Sequence, residues 1–237
     1  LSRIQTLVES QKSFISFASH ELRTPLAAVQ GILETSINYD KDEIALRASL
    51  EAARKEIQKA IGLVNGLLQL AKIESADKIV ERSRLNIVDV LLDAISFYKL
   101  KKPTQEFLFD IPEAKDNETS IEVNGHAQLL RTAFINLIDN ASKYSHQQKI
   151  EIKLSVESPQ LIKIKIIDRG IGIPAEVGSQ VFEPFYRAKN VIGFEGFGLG
   201  LTLTKGIFSL HEGDVKLLTN EFSGVTAEIT LPAILSR

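Results

Sequence analysis

The stretch FASHELRTP, residues 17–25, places an imidazole, a carboxylate and a hydroxyl within about one helical turn. His20 lies away from the apolar stripe of its helix, so we expect it to face solvent, with Glu21 beside the ring and Thr24 on the same face. An exposed imidazole is largely neutral near pH 7 and can act as a nucleophile that a carboxylate orients. Pro25 removes a backbone donor, which predicts a bend or a looser helix beside His20. Taken alone, however, the stretch is better interpreted as a solvated helix face.

A second polar pattern lies in RTAFINLIDNASKYS, residues 131–145. One helical face is apolar, and an adjoining stripe carries Asn136, Asn140, Lys143 and Tyr144. Asparagine is unfavourable inside a helix, so two of them four residues apart need a reason. Amide oxygens beside a lysine suit Mg²⁺ and phosphate oxygens, although a wet helix face fits this stretch equally well.

Two glycine-containing stretches follow. In IKIKIIDRGIGIP, Asp168 has the parity of the isoleucines, which predicts a desolvated carboxylate where Gly170 and Gly172 turn the chain. Such a carboxylate needs a donor, for example an adenine amino group, or else it caps a turn. In GFGLGLTLTKGIF, glycines precede a helical pattern, which suits phosphate but also a flexible loop; they are Gly196, Gly198 and Gly200. Between these stretches, Phe182 and Phe185 are either anchors of a lid or ordinary core residues.

The first 77 residues supply the helix that carries His20. Apolar side chains recur every three or four residues from Ile4 to Leu33 and from Leu46 to Ala71, with polar NYDKDE between them, which predicts an antiparallel helical hairpin over 1–77. A further stripe on the second helix cannot be covered within a hairpin; it comprises Leu63, Leu67, Leu70 and Ile73. This stripe predicts a four-helix bundle made with a second copy, hence a homodimer. Docking of the hairpin on the rest of its own chain is the alternative.

The remaining chain has a different pattern. Polar residues predict a linker at 78–85, followed by a second domain at 86–237. Helical periodicity covers 87–100 and 127–144, and period-two alternation predicts strands in IEIKLSV, LIKIKII, VKLLT and VTAEITL. Helices mixed with mainly antiparallel strands favour an α+β sandwich, in which helices cover one face of a sheet.

Composition narrows the functional classes. The net charge of −2 disfavours nucleic acid as a partner, and the absence of cysteine excludes disulfides and thiolate zinc sites. No apolar run reaches the roughly 18 residues of a membrane span. Because the chain begins at Leu1 and has no methionine, we expect it to be part of a longer protein.

Five stretches in order resemble the conserved boxes of sensor histidine kinases. SHELRTPL, NLIDNASKYS, DRGIGIP and GFGLGL are similar to the H, N, G1 and G2 boxes, and VFEPFYRA resembles the F box. Each motif is modest, but all five in this order behind a helical hairpin are highly specific. The resemblance implies a dimeric four-helix bundle followed by a histidine kinase or gyrase-type ATP-binding domain.

The resemblance also implies residue roles. His20 would accept the phosphoryl group, Glu21 would assist it, and Thr24 would position the water that removes phosphate from a partner. Asn140 would ligate Mg²⁺ and Asp168 would read the adenine amino group. Arg187 would reach the γ-phosphate. Asn136, Lys143 and Tyr144 would surround the phosphates. The pocket and lid would be shaped by glycines, namely Gly170, Gly172, Gly196, Gly198 and Gly200. One departure is His126, where the family has aspartate, and we expect it to affect a helix start rather than chemistry.

The implied activity is ATP-dependent autophosphorylation of His20 and transfer to an aspartate in the receiver domain of a response regulator, with phosphatase activity towards the regulator left open. ATP and Mg²⁺ are the expected cofactors, and the chain is expected to be the cytoplasmic portion of a receptor anchored in the membrane by segments it does not contain. The first alternative is a gyrase-type ATPase, which carries a water-activating glutamate where this chain has Asn136. The second is a non-catalytic scaffold or phosphatase. Phosphorylation within a subunit or across the dimer also stays open.

Overall fold

The computed structural model describes residues 2–75, 81–110, 121–158, 160–174 and 176–234, and the side chains of residues 2–11, 13, 74 and 75 are outside that description. The side chains of the first part of the predicted apolar stripe, up to residue 11, and the whole of linker residues 78–80 therefore lie outside the description. The chain forms two compact units, Leu1–Gln69 and Leu70–Arg237. Among the described residues, no helix is long and apolar enough to cross a membrane.

Two long helices form the predicted hairpin, α1 (Ser2–Tyr39) and α2 (Glu43–Ser75). Asp42 begins α2 by accepting a hydrogen bond from the Ala45 N–H at 2.8 Å, which is the usual role of an aspartate at a helix start. The Asp40 carboxylate accepts hydrogen bonds from Ser36 in α1 and Ser49 in α2, and these bonds lower the pKa of Asp40. The short connection is therefore tied to both helices.

The two apolar stripes of α2 differ in exposure, but the stripe that was predicted to be uncovered within one chain is the buried one. Leu63 and Leu70, from the stripe expected to need a second copy, are 0% and 7% exposed within the single chain. Ile57, Ile61 and Leu68, from the stripe expected to close the hairpin, are 44%, 54% and 56% exposed. Both stripes have the same helical period, so periodicity alone does not distinguish the face that is covered within one chain from the face that is exposed. An uncovered apolar stripe exists, but it is the other one.

The second unit is a five-stranded sheet with helices and a small two-stranded sheet. The helices are α3 (Ile87–Lys101), α4 (Ala127–Tyr144) and α5 (Gly200–Leu210). The strands are β1 (Ser83–Asn86), β2 (Phe107–Asp110), β3 (Glu122–Gly125), β4 (Ile150–Ser158), β5 (Leu161–Ile167), β6 (Asp214–Thr219) and β7 (Val225–Pro232). The large sheet has the order β2-β4-β5-β7-β6, and all its neighbours are antiparallel except β2 and β4. The predicted helices and strands are present.

Three four-residue strands were not predicted. β1 pairs with β3 in the small sheet, and β2 lies at the edge of the large one. β1 includes residues 83–85 of the predicted linker. Strands this short offer too few residues for alternation to be recognised.

The alternating strands separate an apolar face from a charged one. Ile152, Ile164 and Ile166 are at most 1% exposed, whereas Lys165 on the opposite face lies 3.5 Å from Glu228 of β7. This is the pattern of a sheet packed on one side and solvated on the other.

A pair of histidines joins the start of α4 to the end of α5. The His126 side chain accepts a hydrogen bond from the Leu129 N–H at 3.4 Å, so it caps α4. The His126 N–H donates to Nε2 of buried His211 at 2.9 Å, and Nδ1 of His211 lies 2.6 Å from the Ile207 carbonyl oxygen. His126 therefore acts on the helix start, as the sequence predicted, and both nitrogens of a neutral His211 ring are used.

We predict that the second unit loses stability as the pH falls below about 6.5. Burial lowers the pKa of the His211 imidazole from 6.5, and Arg82 and His126 act in the same direction. The unfolded chain then takes up the proton first, so the free energy of unfolding decreases from the unfolded pKa down through the folded one. Urea unfolding between pH 8 and pH 5 measures the effect. In His211→Gln, which cannot titrate, this part of the pH dependence should disappear; an unchanged profile would contradict the prediction.

Candidate nucleotide and phosphoacceptor sites

The second unit contains a cavity of about 260 Å³. Its wall includes all but one of the residues predicted for the nucleotide, namely Asn136, Asn140, Lys143, Tyr144, Asp168, Gly172, Arg187, Gly196, Gly198 and Gly200. Gly170 does not line it; its N–H donates to Asp168 Oδ1 at 2.8 Å. Residues widely separated in sequence are thus brought to one pocket.

Asp168 lies just beyond the end of β5 and is 5% exposed. Its Oδ1 accepts hydrogen bonds from the N–H groups of Gly170 at 2.8 Å and Val225 at 3.1 Å. Burial raises the pKa of the Asp168 carboxyl, which these two bonds partly oppose. Both described hydrogen bonds go to Oδ1, which leaves Oδ2 for a ligand that donates a hydrogen bond.

Helix α4 forms the polar wall of the cavity. The Asn136 side chain donates to the Gly200 carbonyl at 3.4 Å, and Asn140, one turn later, is half-buried. Lys143 Nζ lies 4.3 Å from the centre of the Tyr144 ring and donates to the Glu195 carbonyl at 3.0 Å. The helical spacing therefore places two amides and a cation along one side of the pocket.

The glycine-rich segment before α5 requires its glycines. Gly198 has φ +71°, and a β-carbon there would lie 2.7 Å from the Phe185 carbonyl carbon and the Tyr186 oxygen. At the N-cap of α5, Leu199 supplies no side-chain hydrogen bond. The first amides of α5 are thus not capped by the N-cap side chain, and Gly200 and Leu201 at this helix start line the cavity, a position that suits phosphate.

Residues 186–197, the segment predicted to form a lid and called the lid segment below, are held together by Arg187. Its Nη2 donates to the Val191 carbonyl at 2.8 Å and to the Phe194 carbonyl. In this structure the Arg187 guanidinium donates to carbonyls of its own segment. Its predicted contact with a γ-phosphate therefore stays a prediction. Phe182 packs against the buried cluster of Val177, Val181 and Ala188, so its role is that of a core residue.

Sequence reasoning missed much of the cavity wall. Asn190 lines it and donates from its side chain to the Gly172 carbonyl at 3.1 Å. Asp139 and Glu195 also line it, together with an apolar floor formed by Leu137, Ile166, Ile173, Val181, Leu201 and Ala227. The period-two alternation of β5 predicted that Ile166 lies on the apolar face, and this could have indicated part of the floor. The residues of the lid segment follow no periodic pattern that could have indicated them.

The donor set is suited to a cation that brings most of its own ligands. Within the described part of the chain, no group of three or more His, Cys, Asp or Glu side chains could hold a metal ion. The cavity instead presents the Asn140 amide. Mg²⁺ is commonly bound by one or two protein oxygens together with substrate phosphates and water, so these residues fit Mg²⁺ with a nucleotide.

The phosphoacceptor candidate lies in the first unit. His20, Glu21 and Thr24 are all exposed in α1. The Thr24 hydroxyl donates to the His20 carbonyl at 3.2 Å, one turn back along the helix. Pro25 is buried, and α1 continues on both sides of it. The bend predicted at Pro25 stays a prediction.

Two families match this chain over successive regions. Residues 125–234 match the histidine kinase-, DNA gyrase B- and HSP90-like ATPases, and residues 10–76 match the His Kinase A (phospho-acceptor) domain. The first description includes gyrase B and HSP90, so the second match specifies the class. The signal transduction histidine-protein kinase ArlS of Staphylococcus aureus (strain USA300) is 34% identical over 233 residues, which are 97% of this chain and 50% of that protein.

Solved structures agree with these matches. The Acinetobacter baumannii histidine kinase AdeS is 25% identical, with a TM-score of 0.66, covering 92% of this chain and 98% of that one. Histidine kinase ThkA, solved in complex with the response regulator protein TrrA, is 18% identical with a TM-score of 0.77, covering 97% of this chain and 64% of that one, and shows the fold alone.

The chain therefore belongs to the sensor histidine kinases and contains the phosphoacceptor and ATP-binding domains of their catalytic core. The predicted helical hairpin, the α+β ATP-binding domain that follows it, and the predicted family are confirmed. The chain spans about half the length of the curated relatives it matches.

Proposed function

We propose that this chain phosphorylates itself on His20 with ATP and passes the phosphoryl group to an aspartate in the receiver domain of a response regulator. The observation that carries the proposal is the cavity in which the buried Asp168 carboxylate faces the amide and lysine wall of α4. A buried carboxylate suits the base of a nucleotide, and the wall suits its phosphates. An exposed imidazole elsewhere in the same chain supplies the acceptor.

In the proposed reaction a neutral ring nitrogen of His20 attacks the γ-phosphorus of ATP. The new N–P bond forms as the bond from the γ-phosphorus to the bridging oxygen breaks, and ADP leaves with that oxygen. The Glu21 carboxylate accepts a hydrogen bond from the other ring N–H and stabilises the positive ring. Positioning and charge neutralisation supply most of the rate enhancement in phosphoryl transfer.

The nucleotide residues act by holding ATP in place. Asp168 accepts from the adenine amino group, while Asn136, Lys143 and Tyr144 surround the phosphates. Mg²⁺, when bound through Asn140, neutralises phosphate charge. The pocket and lid are shaped by Gly170, Gly172, Gly196, Gly198 and Gly200.

Asn136 favours the kinase over the gyrase-type ATPase. An amide does not act as a general base, so activation of water at this position is slow and the phosphoryl group is retained for His20. The match of residues 10–76 to a phosphoacceptor domain supports the same choice.

Incubation of the chain with ATP labelled at the γ-phosphate tests the proposal. We expect protein-bound label that is stable in alkali and lost in acid, as for a phosphoramidate, with one ADP formed for each label. Sustained release of phosphate without labelled protein would instead support the ATPase. Adding a receiver domain should then remove the label from the kinase and transfer it to an aspartate.

Glu21 and Thr24 also suit removal of phosphate from the regulator, through a water that Thr24 positions. Mixing the chain with a phosphorylated receiver domain, without ATP, measures this activity. Loss of phosphate would establish the activity, and slower loss with Thr24→Ala, in a variant that ATP still labels, would assign the water to Thr24. No loss of phosphate would refute the activity, and equal rates in the unaltered chain and the variant would refute the role of Thr24.

We further propose that the chain is a homodimer through the uncovered stripe of α2. Helix α1 also carries exposed apolar side chains, among them Ile15 and Leu26, which are 58% and 55% exposed. Exposed apolar helix faces of this kind mark interfaces. Two copies of the hairpin, packed on these faces, form the four-helix bundle.

Ile57→Glu should convert the dimer to a monomer. The substitution buries an unpaired charge in each copy, at a cost of about 3 kcal/mol or more, so the dimer weakens at least about 100-fold. Light scattering measures the mass in solution. Gln58→Glu puts the same side chain one residue away at an exposed position and should leave the dimer intact. A monomeric unaltered chain, or equal effects of both variants, would contradict the proposed interface.

The functional division follows the sequence. We propose a phosphoacceptor domain at 1–77, a connection at 78–85 and an ATP-binding domain at 86–237. Strand β1 begins at Ser83, within the connection, which supports the assignment of the last residues of the connection to the ATP-binding domain. A cytoplasmic location in a membrane-anchored receptor remains the corresponding proposal for the whole protein.

A further inference from the structure

The lid segment, residues 186–197, is attached to α4 and its C-terminal turn at two points. Lys143 donates to the Glu195 carbonyl at 3.0 Å. The Phe194 ring meets the Tyr144 ring edge to face, with centres 5.1 Å apart at 71°, and lies 5.7 Å from the centre of the His146 ring. One attachment is polar and the other is aromatic.

The aromatic seat is fixed by backbone contacts. The Tyr144 carbonyl accepts from the Ile171 N–H at 3.3 Å, and the Gln147 N–H donates to the Ser142 carbonyl at 2.7 Å. His146 adopts φ +54°, a left-handed conformation that turns the chain sharply beyond α4. The two rings that receive Phe194 therefore belong to a turn with defined geometry.

Phe194 itself lies outside the cavity wall, although its neighbours Glu195 and Gly196 line the cavity. The Phe194 ring is therefore not part of the cavity wall in this structure. The polar attachment, in contrast, uses Lys143, a cation that the proposed site assigns to phosphates. The aromatic attachment leaves the Lys143 ammonium free for the nucleotide, and it joins the lid segment to Tyr144, which itself lines the cavity.

We propose that Phe194 is a positioning residue that latches the lid over bound nucleotide by seating its ring on Tyr144 and His146. The inference rests on the proposed nucleotide site. While the latch is closed, Glu195 and Gly196 stay against the cavity and the nucleotide is retained. Opening requires separation of the rings, so the latch controls the rate of nucleotide release rather than the phosphoryl transfer step.

The test is the dissociation of N-methylanthraniloyl-ADP, bound with Mg²⁺ to the complete 237-residue chain, after mixing with excess ADP. Because Phe194→Ala removes the interaction free energy of the aromatic pair, the variant should release the probe about 3- to 10-fold faster, with a smaller change in the association rate of the probe. Phe194→Tyr keeps the ring and should release it at the original rate. Ile192→Ala removes an apolar side chain that is 70% exposed in the same lid and should also have no effect.

Two further measurements separate a latch from a general loss of structure. Phe194→Ala should keep the thermal midpoint of the nucleotide-free chain, and its autophosphorylation should fall at low ATP but not at saturating ATP. Equal release rates for Phe194→Ala and the unaltered chain, or equal acceleration by Ile192→Ala, would overturn the latch alone. Failure of the unaltered chain to bind the probe would overturn the nucleotide site and the latch with it.

Discussion

Replacement of His20 by glutamine should reduce acid-labile labelling of the chain by γ-labelled ATP to background, while nucleotide binding is retained. The glutamine amide nitrogen is not nucleophilic, because its lone pair is delocalised, so no N–P bond forms at this position. The side chain is exposed and of similar size, which keeps the effect on stability small. Labelled protein is separated after quenching in alkali, which preserves phosphohistidine.

Ser19→Ala is the matched control for this experiment. Ser19 is the preceding residue, also exposed, and its hydroxyl donates to the Ile15 carbonyl at 2.8 Å. The variant should be labelled like the unaltered chain, which excludes the Ser19 hydroxyl as the acceptor. Acid-labile label that persists in His20→Gln would reject His20 as the phosphoacceptor. Nucleotide binding, measured in parallel, distinguishes this outcome from a damaged ATP site.

Long periodic elements of this chain were predictable because their side chains meet one partner surface throughout. Helix α4 and strands β4 and β5 bury a regular set of apolar residues, and the sequence shows that set directly. β2 is four residues long and pairs in parallel with β4, whose sequence begins forty residues further on. A pairing of that kind depends on a distant segment, so its own residues carry little signal.

The nucleotide site divides in the same way. Asn136 and Asn140 were found because polar residues inside a helix are unfavourable without a function, and Asp168 because a carboxylate interrupted an apolar alternation. Phe194 lies in a loop without periodicity, and its partner Tyr144 precedes it by fifty residues. Contacts between a loop and a helix end are set by tertiary packing and leave no local pattern.

The reversed stripes of α2 show a different limit. A helical period identifies apolar faces but not their partners. Leu63 and Ile57 are six residues apart on the same helix, yet one is fully buried and the other is 44% exposed. The prediction that one apolar face of α2 is exposed depended only on the presence of two stripes, and it did not require knowing which stripe is buried within one chain.

Asp168→Asn should weaken ATP binding by about 10- to 100-fold, as expected for loss of a hydrogen bond to a charged group. The asparagine oxygen can still accept from the Gly170 and Val225 N–H groups, as Oδ1 of Asp168 does. Its NH₂ group then points towards the cavity and opposes the adenine amino group, so a donor meets a donor. Discrimination between ATP and GTP should decrease as well, since it depends on this contact.

Although Asp168→Asn should weaken ATP binding, it should not lower the stability of the nucleotide-free chain. Burial raises the pKa of Asp168 above 3.8 in the folded state. Between the unfolded and the folded pKa, the folded state binds more protons than the unfolded chain, so the free energy of unfolding falls as the pH rises. At pH 7 the charged carboxylate is therefore a cost that asparagine removes, and the nucleotide-free variant should melt no lower than the unaltered chain.

Asp139→Asn separates base recognition from a general effect of charge. Asp139 lines the same cavity but is exposed, and its loss should leave ATP affinity unchanged or raise it, because a negative charge near the phosphates is removed. Calorimetric titration with Mg·ATP and Mg·GTP compares the two variants. Undiminished ATP affinity in Asp168→Asn, or equal losses in both variants, would show that Asp168 does not read the base; a lower melting temperature would assign it a structural role.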